Sequence, residues 1–360
     1  MDDMKPNGVF ATSAQRVAST YQRMLSEFCP LISDDCTESE QRDLHAFFQA
    51  LYQTLFNAPQ AFGLPATKDI YLIVDHAKEE LNKTDVKKLL DKQRKLVEDG
   101  LNFLRVAASE GEIDGQTLVL AAGSKAADFL KKKPGKAWLN GMESAGMIVS
   151  QISEAVILSN ARFPKMMPAL KQLAKHCGDS DVGRVFFARC DFRALRNDFS
   201  ISALDLYRIF PPADFAWAVE LHNFFTSHGY QAQVEIGRMF FYAVKYQGKK
   251  AIKSTPLFQV YFDERFLQQM RASIKCASSR RIVPLLSNQT EALQADFAAR
   301  AIRCGDCGWC RNSKTLGPAE LDYQNETRKI CWYVNSDLSV FTPQTADLVK
   351  EYAQMHDTLG

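Results

Sequence analysis

Four cysteines near the C-terminus constrain the fold of this chain more than any other residues. Cys304, Cys307 and Cys310 lie in the run CGDCGWC, and Cys331 follows in KICWY. Thiolates two residues apart can bind one ion if a tight turn brings both sulfur atoms to the ~2.3 Å distance of a zinc–sulfur bond. Gly308 after the second cysteine suits such a turn. The spacing therefore predicts one metal site with these four cysteines as ligands.

A structural zinc ion is the cofactor that this pattern favours. The segment resembles a zinc knuckle, and four thiolates leave no open position for water or substrate. The 20 residues between Cys310 and Cys331 are polar and contain glycine and proline, so a metal would order them. Residues 303–331 carry five cations and four acids, a net charge of +1 that zinc with four thiolates changes to −1. These cations are thus expected to neutralise the metal centre rather than bind phosphates.

Two other uses of the same cysteines stay open. A [4Fe–4S] cluster also takes four thiolates, and the first three spacings match a bacterial ferredoxin run, although the fourth cysteine lies too far along the chain. The segment from Cys307 to Cys310 has the two-residue gap of a dithiol redox motif. It follows a predicted helix, however, instead of preceding one, where the helix dipole would lower a thiol pKa.

Length and composition predict a folded protein with two domains. The chain has 360 residues, of which 46% are hydrophobic and 24% charged, and its net charge of +2 provides no global attraction to nucleic acid or membranes. The N-terminus lacks the features of a secretory signal, which favours a cytoplasmic location. The most apolar segment, residues 147–158, is too short to span a bilayer, so no membrane partner is expected.

The first predicted domain, residues 1–178, is a helical bundle. Thr37 and Glu40 form a capping-box pattern before Leu44, Phe47, Phe48, Leu51 and Leu55, which define one apolar helix face. Thr84 is placed as the cap of a second long helix that contains Val97, Leu101 and Leu104. Further helices are predicted at residues 69–81, 141–159 and 165–176.

The second predicted domain, residues 179–360, is an α+β domain with an antiparallel sheet and a C-terminal metal knuckle built from the four cysteines. Its predicted strands cover residues 184–191, 232–236, 239–246, 249–254 and 258–262, with a hairpin turn at Gln247-Gly248. Its predicted helices cover residues 214–227, 264–277, 289–303 and a last one that begins at Thr342-Pro343. The overall fold class is α+β.

Other chemical candidates are weaker. His76 and Glu80 are one helical turn apart but lack further ligands, and His176-Cys177 is better explained as a helix end than as a catalytic pair. Two groups of lysines, at residues 131–136 and 245–253, are expected to be solvated, with phosphate binding as the alternative. The common phosphate-loop, hydrolase, zinc-protease and EF-hand motifs are missing.

The leading hypothesis is therefore a cytoplasmic, zinc-stabilised protein that binds a ligand or a protein partner. The alternatives are an iron–sulfur or thiol redox enzyme and, less favoured, a nucleic-acid-binding protein. The sequence does not decide whether the protein is an enzyme, and it identifies no catalytic residue.

Overall fold

The structure is a computed structural model in which two compact units divide the chain mainly between Ser200 and Ile201. The domain boundary predicted after residue 178 concerns independent folding, which this division into units does not test. It therefore stays a prediction. The structure describes residues 12–31, 35–65, 83–152, 154–196, 200–208, 210, 212–236, 242–248, 258–262, 270–275, 279–305, 318–331, 335–338 and 343–358.

The helices of the first unit are α1 (Ser13–Met24), α2 (Glu38–Asn57), α3 (Lys83–Glu110), α4 (Lys125–Lys131), α5 (Lys133–Ser144), α6 (Met166–Cys177) and α7 (Asp181–Ala188). The predicted start of α2 is confirmed: the Glu40 amide donates to Thr37 Oγ1, and the Thr37 amide donates to the Glu40 carboxylate. The predicted apolar face is confirmed as well, since the side chains of Leu44, Phe47, Phe48, Leu51 and Leu55 are fully buried. Helix α2 packs against α1 and α6.

Thr84 is not the cap of the second long helix, because α3 already includes Lys83. The predicted core positions Val97, Leu101 and Leu104 are nonetheless buried. The helix predicted at residues 165–176 is confirmed as α6. The helix predicted at residues 69–81, with His76 and Glu80, lies outside the described residues.

An antiparallel sheet corrects the prediction that the first half is entirely helical. Strands β1 (Glu112–Asp114), β2 (Thr117–Ala121), β3 (Met147–Ile152) and β4 (Ala155–Asn160) form a sheet in the order β1-β2-β4-β3. The helix predicted at residues 141–159 is therefore wrong after α5. Gly146, with a φ of 91°, lies between α5 and β3, and β3 pairs with β4 up to Ile152 and Ala155. The β-branched residues of this segment favour such strands.

A second correction concerns residues 184–191, which were predicted as a strand. They lie mainly in α7, whose N-terminus is capped by Ser180: its hydroxyl oxygen accepts from the Gly183 amide at 3.0 Å, and Asp181 follows in the first turn. Acidic residues stabilise the positive end of a helix. Ser180 and Asp181 are therefore a helix start signal that follows the predicted domain boundary directly.

The second unit is mixed, as predicted. It contains the helices α8 (Ala203–Tyr207), α9 (Pro212–Ser227), α10 (Ser279–Leu286), α11 (Glu291–Arg300) and α12 (Pro343–Asp357). Its strands are β5 (Gln231–Ile236), β6 (Tyr242–Gln247), β7 (Phe258–Phe262), β8 (Met270–Lys275), β9 (Ala319–Tyr323), β10 (Glu326–Ile330) and β11 (Asn335–Leu338). One sheet has the order β11-β8-β7-β6-β5, and β9 and β10 form a separate hairpin.

Most predicted elements of this unit are confirmed. Strands β5 and β7 and helices α9 and α11 occur where the pattern placed them, and Pro343 is the first residue of α12. The helix predicted at residues 264–277 is wrong over β8, which pairs with β7 on one side and β11 on the other. Pairing on both sides overrides the helix-forming residues of that segment. The predicted strand at residues 249–254 lies outside the described residues.

Within the described ranges, no helix is both long enough and apolar enough to cross a membrane.

The core of the first unit depends on a close approach between α3 and α5 at Gly100. A β-carbon at this position would lie 2.1 Å from the buried Trp138 indole. Alanine is about 1 kcal/mol more favourable than glycine within a helix, yet overpacking a core costs about 1–3 kcal/mol. At this distance the cost of overpacking exceeds the gain in helix propensity. The buried indole therefore requires glycine at position 100.

We expect Gly100→Ala to lower the free energy of unfolding by about 1–2 kcal/mol, measured by urea unfolding with circular dichroism. The matched control is Gly123→Ala, because a β-carbon there has no neighbour within 4 Å. That control should change stability by less than about 0.5 kcal/mol. Equal stability of the two variants would contradict the close packing of α3 on Trp138.

Candidate metal centre

Cys304 and Cys331 are brought together by backbone pairing between two distant segments. The Cys304 amide donates to the Lys329 carbonyl at 2.9 Å, and the Cys331 amide donates to the Ile302 carbonyl at 2.7 Å. Arg303 and Ile330 form an antiparallel bridge between these two bonds. Residues 302–304 thus extend the β9–β10 hairpin by a third short segment at the end of β10.

The antiparallel register places both cysteines on one face of this segment. Directly paired residues project to the same side, so Cys304 shares its face with Lys329, and Cys331 shares it with Ile302. Cys304 and Cys331 are therefore diagonal neighbours, which typically lie about 7–8 Å apart with their β-carbons somewhat closer. Two zinc–sulfur bonds of about 2.3 Å can span such a gap. Both side chains are partly exposed.

The opposite face of the hairpin forms its packing surface. Leu321 and Ile330 are buried there, and α10 and α11 contact β9. The cysteine face is more exposed: Lys329 is solvent-accessible, and the side chain of Ile302 is 59% exposed. One face of the hairpin therefore packs against the core, and the other face, which carries the two cysteines, is more exposed.

The charge count assigned the cations of residues 303–331 to neutralising the metal centre, but Lys329 and Arg328 lie on different faces of the hairpin. Lys329 lies directly opposite Cys304, on the same face of the hairpin. Arg328 lies on the other face and donates a hydrogen bond to the carbonyl of Ala298, in the last turn of α11. A cation at that end also complements the helix dipole. Arg328 thus stabilises the helix that leads to Cys304 instead of facing the cysteines.

The other two predicted ligands, Cys307 and Cys310, lie outside the described residues. Among the residues that the structure describes, no group of three or more histidine, cysteine, aspartate or glutamate side chains is arranged for a metal. The described part of the chain therefore brings together one pair of the four predicted ligands. The complete four-cysteine centre stays a prediction.

The His176-Cys177 pair is confirmed as the end of a helix. Both residues belong to the last turn of α6, and Cys177 is buried. Burial, reinforced by Asp191, raises the pKa of the Cys177 thiol to about 12. Since the thiolate is the nucleophile, a thiol with this pKa is unreactive at neutral pH.

The two groups of lysines differ in what the structure describes. All four lysines between residues 131 and 136 are exposed, at the corner between α4 and α5. In the other group, Lys245 forms an ion pair with Glu235, and residues 249–253 lie outside the described ranges.

A hydrogen-bonded chain in the core of the second unit had no local signal in the sequence. The hydroxyls of Tyr207 and Tyr246 are 2.6 Å apart, and His222 Nδ1 lies 2.9 Å from the Tyr246 hydroxyl. Both tyrosines are buried among Phe210, Phe225 and Phe258. These three polar residues come from α8, α9 and β6, so no fixed sequence spacing connects them.

This chain favours a neutral imidazole. Tyr207 can donate to Tyr246, which in turn donates to Nδ1 of neutral His222. Protonation of His222 puts a hydrogen on Nδ1, so that three hydrogens compete for the two contacts of this chain. One hydroxyl or ring N–H is then left without an acceptor among the three residues. Burial lowers the pKa of His222 and raises the pKa of both tyrosines, so all three groups are neutral near pH 7.

No protein-family model matches this chain, and comparison with curated proteins and with solved structures gives no match either. The functional assignment therefore depends on the chemistry of its own residues.

Neutral histidines make the stability of the second unit sensitive to acid. Burial, with a smaller effect of Arg281, lowers the pKa of His356 to about 4, below the ~6.5 of an unfolded chain. The unfolded state then binds more protons below pH 6.5, so stability is lost as the pH falls toward 4. Between pH 7 and pH 5 we expect a loss of about 1–2 kcal/mol from this residue.

Urea unfolding at the two pH values, compared between the wild type and His356→Gln, measures this contribution. Acid also protonates cysteine ligands of a metal, and that effect is common to both proteins. The wild type should therefore lose more stability than the variant. An identical loss in both would contradict the burial of a neutral His356.

Proposed function

We propose that the protein is a non-catalytic binding protein whose C-terminal segment is held by a structural zinc ion on Cys304, Cys307, Cys310 and Cys331. The placement of Cys304 and Cys331 as diagonal neighbours on either side of the antiparallel bridge between Arg303 and Ile330 is the observation that carries this proposal. These residues are far apart in sequence, and their approach supplies the two ends of the predicted ligand set. The zinc ion would fix these two segments to each other through its coordination.

The donor chemistry supports a structural ion in preference to a catalytic one. Four thiolates complete the tetrahedral shell of zinc, so no position is left for a substrate or an activated water. The protein's residues would hold the ion, and Lys329 would lower the electrostatic cost of its thiolates. None of the six described cysteines is disulfide-bonded, which is consistent with the reducing cytoplasm that we propose as its location.

The alternative is an iron–sulfur or thiol redox enzyme that uses the same cysteines. Cys304 follows α11 along the chain, whereas a dithiol redox motif typically precedes a helix. A [4Fe–4S] cluster uses the same four ligands and is distinguished by its visible absorption. We favour zinc because the fourth ligand lies 21 residues after the third, unlike a ferredoxin run.

We expect the purified protein to contain about one zinc ion per chain and to lack visible absorption. Cys304→Ser and Cys331→Ser should each lose the metal and lower the unfolding free energy by at least about 3 kcal/mol, because structural zinc sites bind with roughly 10 kcal/mol or more. Elemental analysis and urea unfolding of the same preparations measure both effects.

Cys29→Ser is the matched control, since Cys29 is an exposed thiol in the first unit. It should retain both zinc and stability. A metal-free wild type of full stability would overturn the proposal. Anaerobically purified protein with iron and a brown colour would support the redox alternative instead.

A further inference from the structure

Four lysines form an exposed corner between two helices of the first unit. Lys131 is the last residue of α4, Lys132 precedes α5, and Lys133 and Lys136 lie in the first turns of α5. All four side chains are exposed. We call this set the lysine corner.

The lysine corner is rigid, because the two helices approach each other closely at Gly135. This residue is buried, and a β-carbon there would lie 2.0 Å from the carbonyl oxygen of Phe129. Residues three or four positions apart are neighbours on a helix surface, so Lys136 lies beside Lys132 and Lys133. The four charges therefore belong to one surface.

The positive charge of the corner is largely uncompensated. Residues 128–136 contain four lysines and one aspartate, a net charge of +3 in a chain whose total is +2. Lys131 pairs with Asp128 at 2.8 Å, and among the described residues no other ion pair involves this corner. Lys133 and Lys136 lie in the first turns of α5, where cations are unfavourable for the helix dipole, whereas Lys131 lies in the last turn of α4, where a cation is favourable. The helix dipole therefore gives no reason for the two lysines of α5.

The surroundings of the corner point to phosphates on a polymer. The large apolar side chains exposed in the described part of the chain are Ile148, Ile152, Val182, Leu204 and Ile302, all outside residues 125–144. Trp138, the nearest tryptophan, is buried. Within residues 125–144, the corner thus has neither an exposed large apolar side chain, which would strengthen attachment to a bilayer, nor an exposed tryptophan for stacking unpaired bases.

We propose that the lysine corner binds the phosphate backbone of a nucleic-acid duplex without reading its sequence. Ammonium groups bind phosphates as point charges, and a duplex offers closely spaced phosphates to a compact positive surface. This contact is independent of the proposed zinc site, which lies in the other unit.

The first test is the salt dependence of binding by the full-length protein. Fluorescence anisotropy with short DNA and RNA duplexes of mixed sequence should give a log–log slope of about −3 to −4, which corresponds to roughly a hundredfold weaker binding at 200 mM than at 50 mM salt. Duplexes of different sequence should bind equally. Absence of binding at low salt would overturn the proposal.

Two charge reversals separate binding from folding. Lys133→Glu places an acid at the start of α5, which should preserve or raise stability while weakening duplex binding by more than about tenfold. Lys175→Glu makes the same charge change in the last turn of α6, where an acid is unfavourable. That control should be slightly less stable and bind the duplex much more tightly than Lys133→Glu.

The opposite ranking of the two variants in binding would contradict the proposal. Vesicles of phosphatidylcholine with phosphatidylserine provide the third arm. Binding to these vesicles through Lys133, with no binding to either duplex, would assign the corner to a membrane surface and overturn the nucleic-acid proposal.

Discussion

The pairing of residues 302–304 with residues 329–331 is the constraint on which the proposed metal centre depends. Two backbone hydrogen bonds fix this pairing, and its register determines that Cys304 and Cys331 project to the same face. A shift by one residue would move one of them to the packing face of the hairpin. The buried side chains of Leu321 and Ile330 oppose such a shift, because they occupy the other face. Packing of the hairpin thus positions the two described cysteines of the proposed metal centre.

The charges near this pairing divide by face. Lys329 accompanies Cys304, whereas Arg328 binds the last turn of α11 and helps to hold the helix that leads into the cysteine segment. The sequence places these two cations next to each other and gives them one joint role. The alternation of strand residues places Lys329 on the cysteine face and Arg328 on the face that contacts α11. This division supports a structural function for the centre, since the chain around it is organised to fix positions.

Features with local causes were predictable from sequence, and features that depend on distant partners were not. The Thr37–Glu40 capping box and the strand composition of residues 232–236 and 258–262 are local, and all were predicted correctly. Residues 270–275 contain helix formers but become a strand because partners lie on both sides. The approach of Cys304 to Cys331 was predicted from ligand chemistry. The Tyr207–Tyr246–His222 chain was missed because three separate elements supply it.

X-ray absorption at the zinc K edge tests the central claim most directly, because it reports the atoms bound to the ion. The account predicts a single shell of four sulfur atoms at about 2.3 Å, with no nitrogen or oxygen neighbour at bonding distance. Cys331→Ser should remove one sulfur from that shell or abolish zinc binding. A shell of nitrogen and oxygen atoms, or a sulfur shell unchanged by Cys331→Ser, would contradict the account.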